Sequence, residues 1–401
     1  MPAEETRVMS YIENLCVEIG PRLIGSPANQ AAADFIRDTF RATGLEVEEQ
    51  PYPCTAWEHT ATLLEVDDEP VPAIANAFSL PCEVTAPLVA LGTEAELEQA
   101  ELTGRIALFY GALANHQLSA KSWFLKSEYD DRIINFLETK KPAALLAPPA
   151  SSMDYEQFTE DWELEIPAAT VPREALNALL RKPGARAHLR IQARRSPATA
   201  RNILARTPAR GIKLVICAHF DTFYGTPGAG DNGASAGALL ALAERLKDAD
   251  LPFQLEFVAF NGEEALPMGD DEYMRRGGDD LGRILLAINM DGMGTLSGTN
   301  SIAIYSASED LRAHVDGLVK GYTGMVWVEP WPESNHSSFA MRGVPALAFG
   351  GVNTRHLAHT PQDTFETIGA GKVIEVVNII SDIVKSLAGK SLNWTRPPQS
   401  D

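Results

Sequence analysis

The chain has 401 residues and an ordinary globular composition of 45% hydrophobic and 22% charged residues, long enough for two compact units or one large core with an insertion. No apolar run approaches the ~20 residues needed to cross a membrane. The formal net charge of −20 disfavours nucleic acid and anionic membrane as partners, because both recruit basic patches.

The start, "MPAEETRVMSYIENLC", has neither the basic region nor the apolar stretch of a secretory signal, so the chain as given is expected to be cytoplasmic, or secreted if a leader has been removed. Ser26 and Pro27 read as the cap and first residue of a helix running to Gly44, with Ala32, Phe35, Ile36 and Phe40 on one face. A strand, "LEVEEQPY", follows. From about residue 58 to 195 the texture changes to short strands such as "APLVALG", "GRIALFYG" and "AALLAPP", with two helices expected near 127–139 and 173–181. This predicts an inserted β-rich domain at 58–195, within a discontinuous domain made of 1–57 and 196–401. After residue 196 apolar strands alternate with helices: "IKLVICA", "ASAGALLALAERL", "QLEFVAF", "ILLAINM", "SIAIYS", "VPALAFG", "VIEVVNIISDIVKSL". Strands apolar on both faces indicate an α/β fold with a central, largely parallel sheet. The tail "SLNWTRPPQSD" is expected to fray. Cys16, Cys54, Cys82 and Cys217 form no C-x-x-C pair and are expected as buried thiols.

Residues 228–233, Gly-Ala-Gly-Asp-Asn-Gly, satisfy G-x-G-x-x-G. A dinucleotide turn, however, places its first glycine directly after a buried strand. Here "HFDTFYGTP" intervenes, and Asp231 would push a carboxylate towards a phosphate.

Chemistry collects instead where strands end. "IKLVICA" runs into His219 and Asp221, "QLEFVAF" into Glu263 and Glu264, "ILLAINM" into Asp291, and "VPALAFG" leads by a loop to His359. Alone, a His-x-Asp reads as a hydrogen-bonded pair and adjacent glutamates as a solvated cap. Together, at the carboxyl ends of one sheet, they converge on a crevice. His219, His359, Asp231, Glu264 and Asp291 form an imidazole and carboxylate set that suits zinc and leaves positions open to water. Two zinc ions could share Asp231, each taking one histidine and one further carboxylate. The glycines then allow the tight turn that delivers Asp231. Glu263 is left over as a general base, and Asp221 fits a carboxylate that orients the His219 ring.

With these residues in place the sequence resembles the co-catalytic dizinc exopeptidases typified by aminopeptidases of the aminopeptidase Y type. "LCVEIGPRLIGSPANQAAADFI", "AHFDT", "GAGDNGASA", "FNGEEA", "NMDGMG", "SNHSSFAMRGVPAL" and "HLAHTPQDT" carry the likeness along nearly the whole chain. It implies that His219 and Asp291 hold one zinc, Glu264 and His359 the other, that Asp231 bridges, and that Glu263 is the base. It also implies a cis peptide between Asp231 and Asn232, and an insert similar to a protease-associated domain. Relatives commonly read Ser-Asp-His where this chain has Ser334, Asn335 and His336, leaving open whether His336 lines the site or the core. The expected reaction is removal of N-terminal residues from peptides with a free N-terminus. A carboxypeptidase or dipeptidase, with Arg275, Arg276, Arg342 or Arg355 near the substrate carboxylate, and a glutaminyl cyclase-like acyltransferase are the alternatives. Ala358 stands where cyclases typically carry tryptophan.

Overall fold

Strand Lys213–His219 is buried along its whole length, and its alternating side chains define the layers around it. Leu214, Ile216 and Ala218 join one apolar cluster with residues of helices Ala3–Glu13, Pro27–Ala42, Ala234–Leu246, Glu309–Val319 and Ala370–Ser386. Val215 and Cys217 join a second with Tyr273, Met274 and Phe339, from helices Met268–Gly277 and Asn335–Ala340. A period of two with both faces apolar requires such cover on both sides.

In this computed structural model, residues 3–123, 126–149 and 157–398 are described. They divide into two units, Met1–Cys54 with Thr199–Asp401, and Thr55–Ala198. In the first, the strand order is Met325–Trp327, Thr299–Tyr305, Ala346–Val352, Ile284–Met290, Lys213–His219, Gln254–Phe260 and then the 203–206 end of strand Arg186–Arg206. Pairing is parallel except where Thr299–Tyr305 meets Ala346–Val352 and where Gln254–Phe260 meets Arg186–Arg206. The sheet is therefore mixed and largely parallel, as the sequence predicts. His219 lies opposite Phe260 in the parallel register, so the carboxyl ends of neighbouring strands come level.

Helix Pro27–Ala42 begins as read: Ser26 accepts the Asn29 N–H through its side chain, Pro27 follows, and Ala32, Ile36 and Phe40 are buried while Phe35 is half-buried. The helix Ala234–Leu246 is built from Ala, Gly, Ser and Leu apart from Glu244 and Arg245, and is buried over nearly its whole surface. A side chain at Gly237 would meet Ile12 at 2.6 Å, which is why helix Ala3–Glu13 can approach so closely.

The second unit contains parallel strands Cys82–Leu91, Ile106–Phe109, Ala144–Ala147 and Ala168–Thr170. Among the described residues its α-helices are Glu128–Lys140 and Arg173–Leu180, and a third, Glu94–Gln99, that the sequence reading lacked. Thr93 and Glu96 close a reciprocal capping box on that third helix, a signal present in the sequence as Thr-x-x-Glu. With the stretches that strands Glu46–Val66 and Arg186–Arg206 contribute, strand residues outnumber helical ones among the described residues of this unit. Of the tail expected to fray, residues 399–401 lie outside the described residues, and the described part is ordered: Leu392–Thr395 is a helical turn, Thr395 is buried, and its carbonyl accepts the Ser308 N–H at 2.9 Å. Cys16, Cys54 and Cys217 are buried free thiols, and Cys82 is partly exposed. Among the described residues, no helix is long and apolar enough to cross a membrane.

Candidate active site

The carboxyl ends of three adjacent parallel strands supply most of the site: Lys213–His219 ends in His219, Gln254–Phe260 leads to Glu263 and Glu264, and Ile284–Met290 leads to Asp291. The turn before helix Ala234–Leu246 adds Asp231, and the loop after strand Ala346–Val352 adds His359. The structure brings together every residue singled out for this chemistry.

Asp231 stands at the centre. Its Oδ1 lies 3.3 Å from His219 Nε2 and its Oδ2 lies 3.2 Å from His359 Nε2. Around His219 Nε2 are also Asp291 Oδ1 at 3.5 Å and Glu263 Oε2 at 3.9 Å. His359 Nε2 has Glu264 Oε2 at 3.0 Å. Ligand atoms of His219, Asp231 and Glu264 all fall within 4.8 Å of one another. His359 is further fixed by Phe223, whose ring stacks on the imidazole at 4.6 Å and 5°.

The turn that presents Asp231 depends on missing side chains. Gly228 has φ 59°, and a Cβ there would meet Thr222 at 2.2 Å and the Asp231 carbonyl at 2.5 Å. A Cβ on Gly233 would meet Cys16 Sγ at 2.3 Å. Only glycine fits both positions, and the Asp231–Asn232 peptide between them is cis, as the resemblance implies. Asn232 donates to the Met290 carbonyl at 3.0 Å and accepts the Gly292 N–H at 3.3 Å, tying the turn to the Asp291 loop.

Asp221 differs in emphasis from the sequence reading. Its Oδ1 is 3.6 Å from His219 Nδ1, too far for a hydrogen bond. Its carboxylate instead accepts the backbone N–H groups of Glu263 at 3.2 Å and Glu264 at 3.1 Å. It therefore holds the turn that presents both glutamates while facing the imidazole.

Two supporting residues were not read from the sequence. Asp363 accepts the Gly230 N–H at 2.7 Å and the Asp231 N–H at 2.9 Å, and burial pushes its carboxyl up to about 6. Arg22, fully buried, donates to the carbonyls of Phe220, Leu15, Gly20, Pro227 and Gly228 at 2.8–3.0 Å. It pins the segment after His219 to the start of the Asp231 turn. Asp363 lies within the stretch "HTPQDT" and Arg22 within "GPRLIG", but an isolated Asp or Arg carries no spacing signal. His336 belongs to the core: it is buried, its Nε2–H donates to the Trp331 carbonyl at 3.0 Å, and its ring packs on Tyr305 and Trp331.

The electrostatics ask for cations. Burial pushes Glu263 and Glu264 above the usual carboxylate range, and neighbouring carboxylates add to that. Burial opposes ionisation of Asp231, yet the adjoining imidazoles of His219 and His359 hold it well below the usual range. Burial would lower both imidazoles, but Glu263 and Asp291 raise His219, and Glu264 and Asp231 raise His359. Neither ring nitrogen of His219, and not Glu264 Oε1, has a hydrogen-bond partner despite full burial. Buried polar atoms are ordinarily paired, so lone pairs gathered on two imidazoles and several carboxylates fit divalent metal, with a nitrogen and oxygen donor set suited to zinc.

Residues 202–384 match peptidase family M28. That segment of the chain belongs to peptidase family M28. It contains every residue gathered around Asp231, together with Asp363; Arg22 lies outside it in the same unit. Along the chain as a whole, Aminopeptidase YwaD of Bacillus subtilis (strain 168) is 23% identical over 96% of this chain and 85% of its own length. An aminopeptidase of Pseudomonas aeruginosa (strain UCBPP-PA14) is 25% identical over 69% of this chain, which spans 54% of that relative. Among solved structures, a zinc aminopeptidase from Bacillus subtilis superposes with a TM-score of 0.76 at 21% identity, covering 97% of this chain and 96% of that one. The M28 assignment and this shared fold account for the mixed sheet, and they make the chain a peptidase.

Proposed function

We propose that this chain is a zinc-dependent aminopeptidase, with His219 and Asp291 holding one zinc, Glu264 and His359 a second, and Asp231 shared between them. The observation that carries the reading is the pair of Asp231 contacts: its two oxygens face different imidazoles, at 3.3 and 3.2 Å. A carboxylate so placed can offer one oxygen to each of two cations. Bound zinc supplies positive charge that polarises a scissile carbonyl and acidifies water. Glu263, beside His219 and not needed as a ligand, takes the proton from the attacking water and returns it to the leaving amine nitrogen. Asp221 keeps Glu263 and Glu264 in register by holding their N–H groups.

The choice of substrate end rests on charge. The carboxylates around the crevice, with a chain charge of −20, attract an ammonium terminus and repel a carboxylate one. Of the four arginines considered for a carboxylate pocket, Arg275 and Arg276 pair with Glu272, and Arg342 donates to the Ser338 carbonyl. The relatives named above are themselves aminopeptidases by name.

The test uses one peptide in three forms. A chain with this function cleaves the free and C-amidated peptides and leaves the N-acetylated one intact; cleavage of the free and N-acetylated forms with the C-amidated one left intact identifies a carboxypeptidase. Metal analysis accompanies it. Two zinc per chain is expected, whereas saturation at one favours cyclase-like chemistry.

A further inference from the structure

Behind the Asp291 end of the site lies a second polar cluster that the mechanism above does not use. Asp270, in the first turn of helix Met268–Gly277, and Asn335, the first residue of helix Asn335–Ala340, are both essentially inaccessible to solvent, at 0% and 1%. Asn335 Nδ2 donates to Asp270 Oδ2 at 2.7 Å. The remaining oxygens of the same two groups, Asp270 Oδ1 and Asn335 Oδ1, are buried without any hydrogen-bond partner. With Asp270 ionised both are acceptors and neither can satisfy the other, at a cost that buried polar groups seldom bear. Exchanging the amide oxygen and nitrogen of Asn335 leaves the mismatch in place, because it only moves the donor to the other side of the pair.

We propose that Asp270 is held as a neutral carboxylic acid, paired with Asn335 through two hydrogen bonds, and that this pair docks helix Asn335–Ala340 behind the Asp291 strand. A proton on Asp270 Oδ1 turns one orphan into a donor for the other. The O–H then donates to Asn335 Oδ1 while the amide N–H donates to Asp270 Oδ2, and no acceptor remains unpaired. The surroundings favour the neutral form. No Lys or Arg forms an ion pair with Asp270 among the described residues. The titratable groups that face it are Asp271 on its own helix, with Arg342 beside Asp271, His219 and Cys217 on strand Lys213–His219, and Tyr52 on strand Glu46–Val66; Ser338 faces it from the short helix. Burial pushes the Asp270 carboxyl up to about 7, against the polar groups of Ser338 and Asn335, which favour ionisation.

The docked helix has a route to the site. Ser334, just before it, accepts the Asn289 side-chain N–H at 2.8 Å, and His336 within it sits 3.5 Å from the same amide through Nδ1. Asn289 is two residues ahead of Asp291 on the strand that delivers that carboxylate. Asp270 and Asn335 are thus positioning residues, and their effect on Asp291 rests on the zinc aminopeptidase reading. The pairing itself does not.

The test reads protonation and folding, so it can fail without touching that reading. A carboxyl whose pKa is raised in the folded state gives stability that is complete below the unfolded value, ~3.9, and is lost as pH rises to the folded one. In urea unfolding of the full zinc-loaded chain between pH 5 and 8, the folding equilibrium of wild type relative to Asp270→Asn should fall about tenfold per pH unit up to about pH 7 and then level. A flat ratio overturns the proposal. The infrared spectrum of wild type at pH 6 should show a protonated carboxyl band that Asp270→Asn lacks, and its absence overturns the proposal whatever the variants do. Asn335→Asp should be at least tenfold less stable at pH 6, where the wild-type pair holds its proton, because two acids then replace an acid and an amide. Adding Asp270→Asn to it recreates the acid–amide pair with the partners exchanged and should restore stability; a double variant no more stable than Asn335→Asp also overturns the pairing.

Discussion

Both units are organised around short parallel strands buried on both faces, Ile106–Phe109 and Ala144–Ala147 in the insert, Lys213–His219 and Ile284–Met290 in the peptidase unit. They differ in the residues at the strands' carboxyl ends. In the insert the chain leaves into Tyr110 and Gly111, Pro148 and Pro149, and Val171 and Pro172. In the peptidase unit it leaves into His219, into Glu263 and Glu264, and into Asp291. In the insert, exposed His116 and buried Asp130 pair with each other at 2.8 Å, whereas buried His219 has no hydrogen-bond partner on either ring nitrogen. Parallel strand ends provide a crevice; only unsatisfied donor atoms placed there make it a site.

The sharpest way to break this contrast is within one turn of the peptidase unit. Glu263→Gln keeps the size and hydrogen-bonding capacity of the side chain but removes the base, so turnover should fall by about 10²–10⁴-fold with zinc content unchanged. Glu264→Gln should lose metal as well as activity. Kinetics alongside metal analysis separate the two, and identical behaviour would show that neighbouring glutamates do not have separate roles.

Arg22→Lys comes next. Five carbonyls converge on the guanidinium, and an ammonium with three donors must give up at least two of these bonds. At about 1.5–3 kcal/mol for each hydrogen bond to a charged group, the loss is about 3–6 kcal/mol in unfolding free energy, measurable by denaturant titration. A change within about 0.5 kcal/mol, the size of an ordinary surface substitution, would mean that the loop between His219 and Gly228 holds itself.

How much of this was legible depends on where each signal lies. Helix Pro27–Ala42 declares itself locally, through Ser26, Pro27 and the spacing of Ala32, Ile36 and Phe40. The strand ends were legible because His219, Glu263, Glu264 and Asp291 each break an apolar run at its end. Arg22 was not, since arginine is seldom buried without a carboxylate, and its five partners are backbone groups that no sequence pattern marks. Asp363 was hidden for the same reason: it binds N–H groups over 130 residues away. Asn335 could be noticed as a departure, but its partner Asp270 becomes a neighbour only when the second apolar layer forms.

Asp363→Asn probes that long-range support with a smaller effect. One carboxylate oxygen becomes an amide that faces the N–H of Gly230 or Asp231, so one hydrogen bond is replaced by opposed donors. Residues that orient a metal ligand typically contribute about 10–100-fold to metal affinity, and zinc affinity measured by competition with a chelator should fall by that factor. Unchanged affinity would show that the cramped glycine turn alone positions Asp231.

The smallest effect on chemistry is expected in the insert, and it tests the other side of the contrast. Asp130 is buried in the first turn of helix Glu128–Lys140, where it accepts from His116 Nε2 and Ser119 Oγ, each at 2.8 Å. A carboxylate there also complements the positive end of the helix. Asp130→Asn keeps the volume but removes the charge and one acceptor, so the insert should lose about 1–3 kcal/mol of stability, seen as a lower unfolding midpoint. Zinc content and turnover should stay within about twofold of wild type, because every residue assigned to the chemistry lies in the peptidase unit. A variant that stayed folded yet lost zinc would place part of the metal chemistry in the insert, and the contrast between the two sets of strand ends would no longer explain where the activity lies.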